Sequence, residues 1–395
     1  MAGEWLAYGE LGLAVIGFAP FALHRWSCNK WANNKLLCPQ SSSKLPITIL
    51  LPVWNESLII EKKLSNIANQ NFDVDLFVID SASTDDTVEK INSWLNDFPD
   101  AFNDYQIVRM EERLGKTKAV MHAMDMLENF SGIIVMTDAD SMMEPDSLNR
   151  INRWFSNPQI GAVGGTPNRI GNLKTEDNYR DIYAKLRVGE SYHDSTPFLE
   201  GSLLAWRSSS VSSQDLYSKS NADDAQIATA IRLNGLRSIQ DPDLIFKDYM
   251  PLTNKDQRRQ KVRRAQGLVR LLVRKRRHWF SRRLGRFSSI LKVNAWMHIF
   301  SPILIAGATV MGILRNITYL TESNLMLVLS SVEFYCIVSW LLARTNRSIF
   351  GFKTVGTVLC GLENLFVAIV YAGMGKSLHM WDQHQEIRKL ISDDD

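Results

Sequence analysis

Four apolar segments constrain the fold of this chain more than any other feature. They run from about Trp5 to Leu23, Val293 to Leu314, Ser323 to Ala343 and Thr354 to Gly375. A helix needs about 20 mostly apolar residues to cross the hydrocarbon core of a bilayer. The first segment carries Glu10 and is only marginally long, so a buried core helix remains the alternative for it. Together the segments predict an integral, multi-pass membrane protein.

The distribution of basic residues predicts the orientation of these segments. The chain carries a net charge of +3, but residues 255–292 contain fifteen Lys or Arg and a single acid, Asp256. This local balance of +14 leaves −11 for the rest of the chain. Because cationic loops remain in the cytoplasm, we expect the amino terminus outside, residues 44–283 in the cytoplasm and the carboxyl-terminal tail outside.

Strands alternate with amphipathic helices between the first two apolar segments. The predicted strands are Ile47–Leu51, Leu76–Ile79, Tyr105–Met110 and Ile133–Met136. Such alternation is typical of a parallel sheet of Rossmann type. The chain lacks the GxGxxG fingerprint of dinucleotide-binding proteins. Further along we expect a strand at 162–165, a polar helix at 174–190, an apolar turn at 200–207 and a helix from Asp223 that Gly235 ends.

Carboxylates follow two of these strands directly. Asp138 and Asp140 come after the fourth strand and Asp80 ends the second. Ligands of open α/β sheets bind at this edge, where two close carboxylates suit a divalent cation that bridges to phosphate. By itself such a pair is more typical of a solvated loop or a helix cap. Likewise, Asp223 and Asp224 are explained by the dipole at a helix amino terminus.

The basic stretch also contains large apolar residues. Leu271, Leu272, Trp279, Phe280, Leu284 and Phe287 alternate with Arg and Lys. This pattern predicts an amphipathic helix over residues 271–292 that lies on the membrane surface. Glu333 and Glu363 fall within apolar segments, where a charge is costly. They line a polar route between helices or pair with basic residues.

Several motifs occur in one order along the chain. They are Pro52-x-x-Asn55-Glu56, Asp80-x-Ser-x-x-Asp85, Gly115-Lys116, Asp138-x-Asp140, Asp223-Asp224 and Gln260-x-x-Arg263-Arg264. The ordered set resembles a family 2 glycosyltransferase of the GT-A fold. The similarity is greatest to the membrane-bound members: cellulose, chitin and hyaluronan synthases, poly-N-acetylglucosamine synthase and ceramide glucosyltransferase.

The resemblance implies a domain organisation. Residues 1–43 would form a transmembrane helix and linker, 44–270 a GT-A domain with a Rossmann-like, mostly parallel sheet, and 271–292 the interface helix. Residues 293–376 would form three transmembrane helices and 377–395 the tail. The implied partners are a UDP- or GDP-sugar donor, the lipid bilayer, and a membrane lipid or nascent glycan as acceptor, with no nucleic acid.

The resemblance also implies roles for individual residues. Nucleotide-sugar binding falls to Pro52, Asn55, Glu56, Asp80, Lys116 and Asp138. Mg²⁺ or Mn²⁺ would be held by Asp140 with Asp138, and Asp224, beside Asp223, would be the general base. Contact with the acceptor or diphosphate falls to Gln260, Arg263, Arg264 and Gly201.

One position departs from the family pattern. Arg264 stands where polymer synthases have a Trp that is thought to stack on the acceptor sugar. Because Arg pairs bidentately with phosphate, we interpret Arg264 as a contact for a phosphate-bearing lipid or for the diphosphate, with a plain interfacial cation as the alternative.

The leading hypothesis is an inverting, metal-dependent transferase that glycosylates a membrane-embedded acceptor. The alternatives are a processive polysaccharide synthase, a membrane-anchored nucleic-acid binder and an inactive scaffold.

Overall fold

The computed structural model describes residues 2–170, 174–251, 253–319, 323–347, 349–378 and 385–393. The chain divides into two compact units. The helical unit comprises Met1–Lys30, Asn172–Leu186 and Arg258–Ser377, and the α/β unit comprises Trp31–Gly171, Arg187–Gln257 and Leu378–Asp395.

The described residues contain thirteen α-helices. They are α1 (Ala2–Trp31), α2 (Ile60–Ala68), α3 (Thr87–Asp97), α4 (Lys116–Met126), α5 (Ser147–Trp154), α6 (Lys174–His193), α7 (Asp223–Leu233), α8 (Asn254–Arg274), α9 (Arg286–Ala295), α10 (Ser301–Tyr319), α11 (Asn324–Arg344), α12 (Lys353–Gly373) and α13 (Gln385–Asp393). A π-helical turn, Trp296–Phe300, joins α9 to α10.

The strands of the described residues form one mixed sheet. They are β1 (Ile47–Val53), β2 (Asp75–Asp80), β3 (Tyr105–Arg109), β4 (Ile133–Thr137), β5 (Ser141–Met143), β6 (Ile160–Ile170), β7 (Leu203–Arg207) and β8 (Arg237–Tyr249). Their order is β3-β2-β1-β4-β7-β6-β8-β5. The first four are parallel, whereas β7 runs antiparallel to both of its neighbours.

Apolar side chains cover both faces of the sheet. Ile49 and Leu51 of β1 pack in one core cluster with residues of α2, α3 and α5. Leu50 points the other way, into a second cluster with residues of α4 and α7. Since successive side chains of a strand alternate between faces and both faces are covered, β1 is apolar at every position except Thr48, which is also buried. This explains the nearly continuous apolar runs in the sequence.

The structure differs from the sequence prediction in three places. The stretch predicted as an apolar turn contains β7, and β5 and β8 were not predicted. The predicted interface helix over 271–292 is divided: α8 ends at Arg274, two single 3₁₀ turns follow, and α9 begins at Arg286. Gly285, at the second junction, has a φ of +52°, which breaks a helix and favours glycine.

The helical unit contains the predicted spans. Within the described residues, four helices are long and apolar enough to cross a membrane: Gly3–Trp31, Arg286–Thr318, Asn324–Arg344 and Lys353–Gly373. Length and composition thus confirm the four predicted segments as membrane-span candidates.

Three acidic residues in the apolar helices of this unit form ion pairs. Arg315 of α10 donates to Glu10 of α1 at 2.8 Å and to Glu333 of α11 at 3.0 Å. Glu363 of α12 accepts hydrogen bonds from Arg344 and from the indole of Trp340. Of the two readings of Glu333 and Glu363, pairing with basic residues is therefore the one observed.

The tail is placed differently from the prediction. Helix α13 belongs to the α/β unit, where Ile387 and Ile391 are buried against Ile59, Ala139, Met142 and Tyr249. The tail helix thus packs on the α/β unit, which contradicts the predicted separation of tail and domain by a membrane. The charge pattern did not predict this contact, because the contact depends on the amphipathic face of α13 and the positive-inside rule considers only basic residues near apolar segments.

Candidate active site

Most of the predicted site residues lie at one edge of the sheet in the α/β unit. They are Pro52, Asn55, Glu56, Asp80, Lys116, Asp138, Asp140, Gly201, Asp223 and Asp224. This is the carboxyl edge of the parallel strands, the position where open α/β sheets bind ligands. Because β1 separates β2 from β4, the ends of those two strands lie about 10 Å apart.

The turns after β1 and β2 are linked to each other. The backbone N–H of Asn55 donates to Ser83 Oγ at 2.9 Å, and that of Thr84 donates to Asn55 Oδ1 at 2.7 Å. Asp80 is buried and accepts the Ser83 N–H at 3.1 Å, with Arg109 Nε 3.5 Å away. The carboxylate of Asp80 thus fixes the shape of the second turn.

Asp138 and Asp140 follow β4 and remain partly exposed. Their side chains are 25% and 28% accessible. Asp138 Oδ1 accepts from Lys116 Nζ at 2.5 Å, and its Oδ2 accepts from Ser202 Oγ at 3.2 Å. Below this turn the buried Lys63 donates to Thr137 Oγ1 at 2.8 Å and to the carbonyl of Ser141. Lys63 therefore holds Thr137 and Ser141, the two residues that flank this turn, at a fixed separation.

Lys116 connects the two pairs of carboxylates. It begins α4 directly after Gly115, whose φ is +88°. Its ammonium lies 3.9 Å from Asp223 Oδ2 in addition to its contact with Asp138. Burial alone would lower the pKa of Lys116, but Asp138 and Asp223 raise it above the ordinary value. The side chain is consequently a permanent cation in the site.

Asp223 and Asp224 occupy the first turn of α7. Asp224 Oδ2 accepts the N–H of Gly201 at 3.1 Å. A Cβ atom at Gly201 would lie 3.3 Å from Asp224 Cβ, a tight contact that a shift of Asp224 by a few tenths of an ångström would have to relieve. Burial, together with the negative charge of Asp223, raises the pKa of Asp224 to about 7. A base with a pKa near neutrality is suited to proton transfer at physiological pH.

A residue that sequence reasoning missed completes this edge. Arg388 of α13 forms a bidentate pair with Glu56, at 2.9 Å for Nε and 2.7 Å for Nη2, and its Nη1 lies 3.1 Å from Asp140 Oδ2. Glu56, predicted to bind nucleotide, is thus buried and engaged by Arg388. The available signal was the four-residue spacing of Ile387 and Ile391, which places an apolar face next to Arg388.

The remaining predicted residues belong to the other unit. Gln260, Arg263 and Arg264 lie on the part of α8 that is assigned to the helical unit. Their predicted roles remain predictions.

The chemistry of the exposed carboxylates fits a divalent cation. The described residues contain no group of three or more His, Cys, Asp and Glu side chains that could enclose a metal. Asp138 and Asp140 nevertheless present hard oxygen atoms at an accessible edge. Mg²⁺ is typically bound by one or two carboxylates and completes its shell with water and substrate phosphate.

Comparison with known proteins identifies the family. The model of glycosyl transferase family 2 matches residues 48–211, and that of glycosyl transferase family group 2 matches residues 133–344, more than half of the chain. The chain belongs to glycosyl transferase family group 2. The predicted family is therefore confirmed.

Individual relatives agree with the family assignment. The poly-beta-1,6-N-acetyl-D-glucosamine synthase of Staphylococcus aureus (strain COL) is 24% identical over 237 residues, which cover 58% of this chain and 56% of that protein. The chain thus spans little more than half the length of this relative. A mannosyltransferase from Pyrobaculum calidifontis, solved with GDP-Man and Mn²⁺, is 25% identical with a TM-score of 0.77. The match covers 94% of this chain and 100% of that one and confirms the predicted GT-A fold.

Proposed function

We propose that this protein is an inverting, metal-dependent hexosyltransferase that moves a sugar from a UDP- or GDP-sugar to a membrane-embedded lipid or lipid-phosphate acceptor. The proposal rests on one observation: Lys116 joins Asp138 to Asp223 beside Asp224 at the ligand-binding edge of the sheet. The Pyrobaculum mannosyltransferase, solved with GDP-Man and Mn²⁺, supports the donor class and the metal.

The residues have the following roles in this reaction. The acceptor oxygen forms a bond to the anomeric carbon while the bond from that carbon to the diphosphate oxygen breaks. Asp224 takes the proton of the acceptor hydroxyl. Attack opposite to the leaving group inverts the configuration, so an α-linked donor gives a β-linked product.

The leaving diphosphate requires positive charge. Asp138 and Asp140 are the residues that would hold Mg²⁺ or Mn²⁺, which when bound supplies positive charge to the diphosphate. Lys116 keeps a fixed cation next to Asp138. Arg263 and Arg264 would add charge from α8 or contact a phosphate on the acceptor.

The apolar helices support a membrane location. In the proposed arrangement the α/β unit is cytoplasmic and the helical unit crosses the bilayer. The acceptor would then be a lipid in that bilayer.

The test is an assay of the purified protein in detergent with a panel of nucleotide sugars, with and without Mn²⁺. We expect transfer from one UDP- or GDP-sugar that requires the metal and is abolished by Asp224→Asn. Asp97→Asn, an equivalent change at an exposed position on α3, should retain activity. Transfer that persists in Asp224→Asn would refute the assignment of the base.

A processive polysaccharide synthase is the second candidate. The similarity to the staphylococcal synthase favours it. Product length separates the two: a single added sugar supports a lipid acceptor, and a ladder of lengths supports a polymer.

A further inference from the structure

Helix α13 places the guanidinium of Arg388 at the carboxyl edge of the parallel strands, far along the chain from the other residues there. Arg388 is only 4% exposed and Glu56 only 1%. All three nitrogens of its guanidinium are used, two on Glu56 and one on Asp140. Asp140 remains 28% exposed, so Arg388 contacts it without burying it.

These contacts join two turns that carry different predicted functions. Glu56 lies in the turn after β1, where its N–H donates to Thr87 Oγ1 at 2.8 Å. Asp140 lies in the turn after β4, and β1 pairs directly with β4. One guanidinium therefore fixes the separation of two adjacent turns, and the fork geometry of Arg suits this bridging.

The helix that carries Arg388 is firmly docked. Ile387 and Ile391 are buried on either side of it. Lys62 Nζ donates to the carbonyl of Ile391 at 2.9 Å. Undocking would expose this apolar surface and break the bidentate ion pair between Arg388 and Glu56, so it is unfavourable. The contact is thus part of the folded domain.

We propose that Arg388 is a positioning residue of the donor site and that docking of α13 completes this site. The inference rests on the proposed function, because it assigns the turns after β1 and β4 to the nucleotide and the diphosphate. Arg388 acts through Glu56 and Asp140 and is not itself a catalytic residue. Its cation also balances the negative charge of these two acids.

The decisive experiment measures binding and turnover in full-length variants in detergent. Arg388→Gln should weaken binding of UDP or GDP, measured by calorimetry, and raise KM for the donor by about tenfold, while KM for the acceptor stays unchanged. Arg388→Lys, which keeps the charge but loses the fork, should recover part of the loss. Lys389→Gln removes an exposed cation from the same helix and should match the wild type.

A second pair of variants separates positioning from loss of the fold. Ile391→Ala loosens the docking without altering a charge and should raise the donor KM in the same direction with a smaller effect. Deletion of residues 378–395 should reproduce Arg388→Gln. If the deletion increases turnover, the tail blocks the site and our inference is wrong.

The two proposals fail in different ways. If the wild type binds neither UDP nor GDP and transfers no sugar, the proposed function fails. If the wild type binds and transfers, but Arg388→Gln has the same donor KM and nucleotide affinity, only the role of Arg388 is refuted. A uniform fall in kcat with unchanged KM values would also refute it, since that pattern indicates partial unfolding.

Discussion

The pKa of the proposed base, Asp224, should set the pH profile of kcat/KM. A single substitution should shift this profile. Burial and the charge of Asp223 raise the pKa of Asp224 to about 7. Only the ionised carboxylate accepts a proton, so about a tenth of the free enzyme is competent at pH 6. We therefore expect kcat/KM to rise about tenfold per pH unit below 7 and to level off above pH 8.

Replacing Asp223 by Asn tests the cause of this behaviour. The change removes the neighbouring negative charge and should move the limb of the profile to lower pH by on the order of one unit. The assay is kcat/KM for the acceptor between pH 5 and 9 at saturating donor and metal. Because ionisation of the donor is common to both enzymes, only the difference between their profiles reports on Asp224. Identical profiles, or a flat wild-type profile from pH 6 to 8, would refute the reasoning.

The same pKa has a consequence for stability. The native pKa of Asp224, about 7, lies above its ordinary value of 3.8. The folded chain thus holds a proton that the unfolded chain releases, and stability falls as the pH rises from about 4 to about 7. In thermal unfolding experiments Asp224→Asn, which cannot ionise, should show a smaller decline over this interval.

Three further substitutions test separate parts of the molecule. Lys116→Met should lower kcat/KM about 100-fold, because it removes the half-buried cation between two carboxylates, whereas Lys118→Met at an exposed position should have no effect. Gly356→Ala should lower the thermal unfolding temperature in detergent by an amount equivalent to about 1–3 kcal/mol, since the added Cβ would overlap a backbone carbonyl of α11. Gly373→Ala, where nothing lies within 4 Å, is the control. Arg264→Trp should shift acceptor use from a phosphate-bearing lipid towards a sugar.

Each of these three predictions would be contradicted by a specific result. Equal kcat/KM values for Lys116→Met and Lys118→Met would show that the ammonium of Lys116 has no role in the reaction. Equal unfolding temperatures of the two glycine variants would contradict the close packing of α11 and α12. An unchanged acceptor preference would remove the reason to favour a lipid phosphate.

The sequence predicted the first half of the sheet because the local signals there agree. Strands β1, β2 and β4 are buried on both faces, so they appear as largely apolar runs, each with a polar residue at or shortly after its end. Strand β8 was missed because its burial alternates irregularly and Pro242 interrupts it. Pairing with β6 and β5, both more than seventy positions earlier, defines it as a strand.

The candidate site was predicted in the same uneven way. Asp138 and Asp140 follow a recognisable strand, and Asp224 begins a recognisable helix. Arg388 lies 248 positions after Asp140, and no local sequence pattern at either residue predicts their contact. The bidentate pair that buries Glu56 was unpredictable for the same reason, since it depends on where a short amphipathic helix docks.

The ion triad of the helical unit restricts how that unit can move. Arg315 holds carboxylates from both α1 and α11, so three helices share one fixed register. Sliding α10 by a single turn, about 5.4 Å, would separate the guanidinium from both acids and break the two ion pairs. A rearrangement that preserves the triad is therefore restricted to tilting of the three helices about Arg315, without displacement along the helix axes.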